Sequence, residues 1–141
     1  MRAVLDPNVL ISAVLSRSGA PAQVLEAWAQ GEFELAISPA LIAELERALA
    51  YPKLRELISE SEAEEFVGWL RAAAELVDDP GAEPAIRSDD PGDDYLIALA
   101  AELQVPLVSG DWHLLDLADR LPVFTPRRFL ELLQRSTGAP D

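Results

Sequence analysis

At 141 residues, half of them apolar and 26% charged, the chain has the length and composition of one ordinary globular domain and is too short for two. It has no cysteine, which excludes a disulfide framework and a thiolate metal site and fits a reducing compartment. Eleven Lys and Arg against 25 Asp and Glu give a net charge of −14, which counts against the broad basic face by which most nucleic-acid binders hold phosphates. Such acidity either keeps the protein soluble or crowds a site at which divalent cations reverse the local sign; positions, not totals, distinguish the two.

In chain order, the opening MRAVLDPNVLISAVLS has an apolar run broken by Asp6, Pro7 and Asn8 with no small-residue cleavage site after it, so it does not read as a signal peptide. No stretch approaches the roughly 20 uninterrupted apolar residues of a membrane span, and a soluble, cytoplasmic protein is expected. Ala3 to Leu5 suits a short buried strand ending at Asp6, and Asn8 to Leu15 and Pro21 to Gln30 read as helices. Glu34 to Ile37 is a second strand. It is closed by Ser38-Pro39, a helix start with Ser at the N-cap and Pro at the first helical position. That helix runs to about Leu49 with Leu41, Leu45 and Ala48/Leu49 as its apolar stripe, and Ser61 to Ala74 is a further amphipathic helix.

Glu75 to Val77 is a brief third strand, and Asp78 to Gly92 is the one long loop. Tyr95 to Leu103 is apolar nearly all round and therefore a buried helix. Val105 to Ser109 and Pro122 to Phe124 are the last two strands, with Arg127 to Leu133 the last helix. Short apolar strands alternating with helices indicate α/β architecture with a parallel sheet covered on both faces. In such sheets, sites lie beyond the carboxyl ends of the strands. Asp6 and Asp111 stand there, at VLD and LVSGD.

Each acid has a plain reading beside the chemical one. Asp6 is placed to cap the helix from Asn8, and Asp111 to cap a short helix through Leu117. Asp89, Asp90, Asp93 and Asp94 put four acids within six residues. One or two are explained as caps or by the helix dipole, worth roughly 0.3–1 kcal/mol each; four are not, since each added like charge repels the others. Glu44 and Glu46 flank the stripe centred on Leu45, and spacing leaves the choice between them open. His113, the only histidine, is either a surface residue or a contact to substrate phosphate. Together these acids point to one edge of the sheet, and unpaired carboxylates held close cost several kcal/mol unless a cation neutralises them. Oxygen donors without His or Cys select hard ions, Mg²⁺ or Mn²⁺, which suit phosphoryl chemistry.

Four segments carry a resemblance: VLDPNVLIS, SPALIAELERAL with YPKL, DDPGDDYLIALA, and LVSGDWHLL. In this order and spacing, over nearly the whole chain, the sequence resembles the PIN-domain family, in particular its branch of toxin components of toxin–antitoxin systems. The resemblance implies a three-layer α/β/α sandwich with a parallel sheet of strand order 3-2-1-4-5. It spans a single nuclease domain over residues 1–135, with a short tail at 136–141. It assigns metal-binding acids to Asp6, Glu44 (rather than Glu46), Asp94 with Asp93 as its neighbour, and Asp111. Asn8, Ser12 and Ser109 fall where the family often has supporting polar residues, and His113 stands where many members have a further Asp.

The implied activity is Mg²⁺- or Mn²⁺-dependent hydrolysis of RNA by in-line attack of water, with Asp94 or Asp111 orienting that water. Cleavage of this kind leaves a 5′-phosphate and a 3′-hydroxyl. The partners implied are an RNA substrate and a basic antitoxin protein, with self-association through apolar helix surface expected as well. Arg17, Arg47, Lys53 and Arg55 are the candidates to rim a substrate groove. Three alternatives are weaker: a PIN fold acting as an RNA- or protein-binding module with negligible turnover, a phosphatase for small substrates, and a receiver domain. The last needs a Lys at a late strand end, and the only Lys is Lys53, in a helical region.

Overall fold

The computed structural model describes residues 1–137. The chain runs β1 (Arg2–Leu5), α1 (Pro7–Leu15), α2 (Ala20–Ala29), β2 (Glu34–Ile37), α3 (Pro39–Leu49), α4 (Pro52–Arg55), α5 (Glu60–Ala73) and β3 (Glu75–Leu76). After a long loop and a single 3-10 turn at Pro91–Asp93 come α6 (Asp94–Leu103), β4 (Leu107–Val108), α7 (Trp112–Leu115), β5 (Val123–Phe124) and α8 (Pro126–Thr137). The strands form one parallel sheet in the order β3-β2-β1-β4-β5. This is the expected three-layer α/β/α arrangement.

The central strand is fixed from both sides, with Ala3 opposite Leu35 on β2 and Val4 opposite Leu107 on β4. Because β1 is covered on both faces, its sequence is continuously apolar and Ala3, Val4 and Leu5 are buried. The chain steps from β1 outward to β3 through α1, α2, α3, α4 and α5 and returns to β4 through α6, which packs on β1 and β4. Leu10 of α1, Leu41 and Leu45 of α3, Leu70 of α5 and Leu96 of α6 are completely enclosed. α8 docks on α2 and β5, and Phe129 meets Phe33 edge to face with ring centroids 5.0 Å apart.

The helix starts follow local chemistry. Asp6 caps α1 and Ser38 caps α3, each with Pro at the next position. Ser59 and Glu62 form a reciprocal capping box on α5. Two features differ from the sequence-based expectation. β3, β4 and β5 are two residues each, shorter than their apolar runs. α8 continues to Thr137, beyond the Leu133 expected as its end, while residues 138–141 lie outside the described residues. Lys53 lies in the short helix α4, in keeping with the helical region expected there.

The long loop after β3 is tied down by its flanks. Asp79 Oδ1 accepts from the Ala40 N–H at 2.9 Å, Glu102 Oε2 from the Gly81 N–H at 2.8 Å, and Asp94 Oδ1 from the Ser88 N–H at 2.9 Å.

Candidate functional site

From β1 the chain passes through α1 toward β2, and from β4 it passes through α7 toward β5, so β1 and β4 flank the point where the sheet order reverses. In open α/β sheets, sites lie beyond the carboxyl ends of the strands at that point. Asp6 follows β1 and Ser109, Gly110 and Asp111 follow β4, which places both segments at the same edge of the sheet.

Asp6 is 1% exposed and immobilised. Its Oδ1 accepts from the Asn8 N–H at 3.0 Å and its Oδ2 accepts from the Ser109 hydroxyl at 2.8 Å. Burial pushes its carboxyl above the ordinary value; these two hydrogen bonds oppose the rise, and the charges of Glu44 and Asp111 add to it. Ser109, completely buried, also accepts from the Asp111 N–H at 3.0 Å, so one hydroxyl joins the two strand ends.

Asp111 Oδ1 in turn accepts from the His113 N–H at 2.9 Å and lies 3.0 Å from His113 Nδ1. The latter contact requires the proton on Nδ1, which fixes the ring. Although burial pushes Asp111 up, the hydrogen bonds and charge of His113 and a hydrogen bond from Asp93 hold it below its ordinary value.

Asp93 completes the group. Burial raises its carboxyl to about 7, and the charges of Asp6, Asp111 and Asp90 and the hydrogen bond with Asp111 act in the same direction. The two neighbouring carboxyls shift in opposite directions, Asp93 up and Asp111 down. Asp93 Oδ2 is buried and has no hydrogen-bond partner. An uncompensated buried oxygen of this kind is costly and rare. Asp94, the next residue, spends its Oδ1 on the Ser88 N–H and so anchors the long loop.

Glu44 and Glu46 are also separated by the structure. Glu44 Oε1 accepts a 2.7 Å hydrogen bond from the Tyr95 hydroxyl and lies close enough to Asp6 to raise it. Tyr95 is pushed up by burial, by that hydrogen bond and by the charges of Glu44, Asp6 and Asp93. Glu46 leaves the opposite border of α3, pairs with Arg71 at 3.7 Å, and lines a cavity of about 310 Å³ between α3 and α5.

Of the sequence candidates, then, Asp6, Glu44, Asp93 and Asp111 are electrostatic neighbours, and Ser109 and His113 hold them. Asn8 contributes a backbone N–H, with its side chain exposed. Ser12 is exposed one turn further along α1, and its carbonyl accepts from the Ser16 N–H. Tyr95 reads as core in the sequence. Its only signal there is a polar tip on an otherwise apolar helix, one residue after an acid pair. Among the described residues no group of three or more Asp, Glu, His or Cys side chains is already gathered closely enough to hold a metal ion. What the chain has assembled is a set of mutually repelling carboxylates around the buried Asp6.

Fold and site together define a parallel three-layer α/β protein with a group of carboxylates at the reversal point of its sheet. The chain belongs to the PIN domain family, which it matches over residues 2–113, a span containing every acid just described. It is similar to an uncharacterized protein of Methanocaldococcus jannaschii, with 23% identity over 145 residues covering 96% of this chain and 93% of that protein. A Pyrobaculum aerophilum protein has the same fold, with a TM-score of 0.64 at 17% identity over 94% of this chain and 89% of that one. So does VapBC2 from Rickettsia felis, solved bound to a DNA fragment from its promoter, with a TM-score of 0.61 at 16% identity over 89% and 97% of the two chains. FitAcB from Neisseria gonorrhoeae gives 0.53 at 22% identity over 89% and 98%.

Proposed function

We propose that the protein is an endoribonuclease that hydrolyses RNA phosphodiester bonds with Mg²⁺ or Mn²⁺, and that it is the toxin of a toxin–antitoxin pair. The observation that carries this reading is the acidic group itself. Glu44, Asp93 and Asp111, from one helix face, one helix start and one strand end, are electrostatic neighbours of the buried Asp6, and Asp93 has an oxygen without a partner. Among the described residues no Lys or Arg pairs with any of the four, and the one ion-pair contact they make is that of Asp111 with His113.

The donor set fits a hard divalent cation: it is all oxygen, it is anionic, and Asp93 Oδ2 lacks a donor. Asp6, Glu44, Asp93 and Asp111 are the residues to hold it. When bound, the cation neutralises charge on the phosphodiester and makes water a better nucleophile. The chain's own contribution is positioning. Ser109 and the Asn8 N–H stop Asp6 from rotating, Tyr95 aims Glu44, and His113 aims Asp111. Asp93 is assigned to orient the attacking water, its carboxyl brought down from its raised metal-free value by the charge of the bound cation. Asp94 stands one step back and sets Asp93 through its bond to Ser88.

The motif likeness to the toxin branch supports a basic antitoxin partner, since an Arg-bearing segment is the natural complement of an acidic group. The test is an RNA panel incubated with and without Mn²⁺, with the cut ends sequenced. Asp93→Asn is expected to reduce cleavage by orders of magnitude while the fold survives, and Asp94→Asn to reduce it less. If wild type, Asp93→Asn and Asp94→Asn all cut equally, the activity is a contaminant and the protein is a binding module. If Asp94→Asn is the more damaging, the roles of the two neighbours are exchanged.

A further inference from the structure

Trp112 is 64% exposed, an unusual position for the largest apolar side chain. It lies immediately after Asp111, and its indole stacks on the His113 ring with centroids 4.0 Å apart and planes 27° from parallel. His113 is itself clamped, since its ring Nδ1 and its backbone N–H both meet Asp111 Oδ1. The half-exposed Trp69 differs, because it packs on Trp28 at 4.8 Å and Phe66 at 6.1 Å as part of a helix-helix contact. Trp112 has one face on His113 and the rest open to solvent, beside the carboxylates.

We propose that the Trp112 indole, stacked on His113 beside the acidic group, is a platform for one unpaired base of single-stranded RNA next to the phosphodiester being cut. This rests on the ribonuclease reading above and names how the substrate is held. A chain of net charge −14 gains little from phosphate contacts, which are the usual source of RNA affinity. Base stacking needs no cation, suits every base because each has a π-face, and is strongest when the aromatic ring is already rigid. The Trp112–His113–Asp111 chain supplies that rigidity and ties the platform to a residue of the site. Bases in a duplex are already stacked and paired, so the platform selects single strands.

Three measurements test it. In steady-state cleavage of a single-stranded RNA with Mn²⁺, Trp112→Ala is expected to raise KM about tenfold with kcat changed less than about twofold, while Trp112→Phe keeps most of the wild-type KM. One abasic residue beside the cut is expected to cost the wild type the same factor and Trp112→Ala nothing further. In the non-cutting Asp93→Asn background, the same RNA is expected to quench tryptophan fluorescence, and Trp112→Phe to abolish the quench. An unchanged KM in Trp112→Ala alongside wild-type cleavage overturns the platform and leaves the ribonuclease standing. Quenching by an oligoarginine peptide but not by RNA makes the ring pair a protein-docking surface and overturns the platform as well. No binding or cutting of any RNA by the wild type with Mn²⁺ removes both readings.

Discussion

Asp93 is the residue whose chemistry departs furthest from its neighbours in sequence. Its folded-state value of about 7 lies above the 3.8 of an unperturbed Asp, so the folded protein binds this proton more tightly than the unfolded chain. Its contribution to stability is therefore full below about pH 4 and is lost as pH rises toward 7. Asp93→Asn removes that loss. In EDTA the variant is expected to melt a few degrees above wild type at pH 7.5, with the gap narrowing at pH 5 and closing near pH 4; a gap that does not change with pH means Asp93 carries no shifted proton. A second pair of changes tests direction on one helix. Glu44→Gln is expected to weaken cleavage most at low Mn²⁺, whereas Glu46→Gln, chemically identical but placed beside Arg71, leaves cleavage nearly unchanged. Damage from Glu46→Gln and not from Glu44→Gln reverses the assignment.

Among the helices and strands, the site depends on elements that contribute almost nothing to it chemically. α3 carries Glu44 outward only because Leu41 and Leu45 pin its opposite stripe in the core. Leu45→Ala is expected to cost about 2–5 kcal/mol of stability by urea unfolding, since the enclosed site leaves a cavity rather than collapsing. Ser109→Ala works differently. It removes the hydroxyl that donates to Asp6 and accepts from the Asp111 N–H, leaving a buried acceptor and donor unpaired at about 1–3 kcal/mol. Cleavage is expected to fall more than that loss of stability explains, because the strand ends are no longer joined. Equal cleavage by a folded Ser109→Ala protein shows that Asp6 and Asp111 hold their places without the hydroxyl.

Over the molecule as a whole, four neighbouring carboxylates in a chain already at −14 repel one another. Under the proposed metal reading a divalent cation relieves that repulsion, and binding to the folded state alone raises stability. Millimolar Mn²⁺ is expected to raise the melting temperature of wild type and to do little for Asp6→Asn/Asp93→Asn. Equal shifts in the two proteins mean the acids do not share an ion. Self-association is proposed through the exposed Tyr51 and Leu57 around α4, and light scattering over a concentration series checks it; a strictly monomeric profile removes the dimer.

Local periodicity, caps and apolar runs are enough to establish the α/β class, the parallel sheet and the positions of Asp6 and Asp111 after strands. Strand order follows instead from likeness to a family, because nothing local says which strand neighbours which. The choice of Glu44 over Glu46 follows likewise from that likeness, while the different surroundings of these two, and of Asp93 and Asp94, arise only on folding. On α3 the two Glu residues are equivalent until partner helices supply Tyr95 on one side and Arg71 on the other. At the start of α6 two adjacent Asp residues differ only in direction, and that direction is set by Ser88, drawn back from a long loop to take the carboxylate of Asp94 and leave Asp93 to the acidic group. Spacing along a chain fixes which face a side chain leaves from, but which neighbour waits there depends on segments far away in sequence.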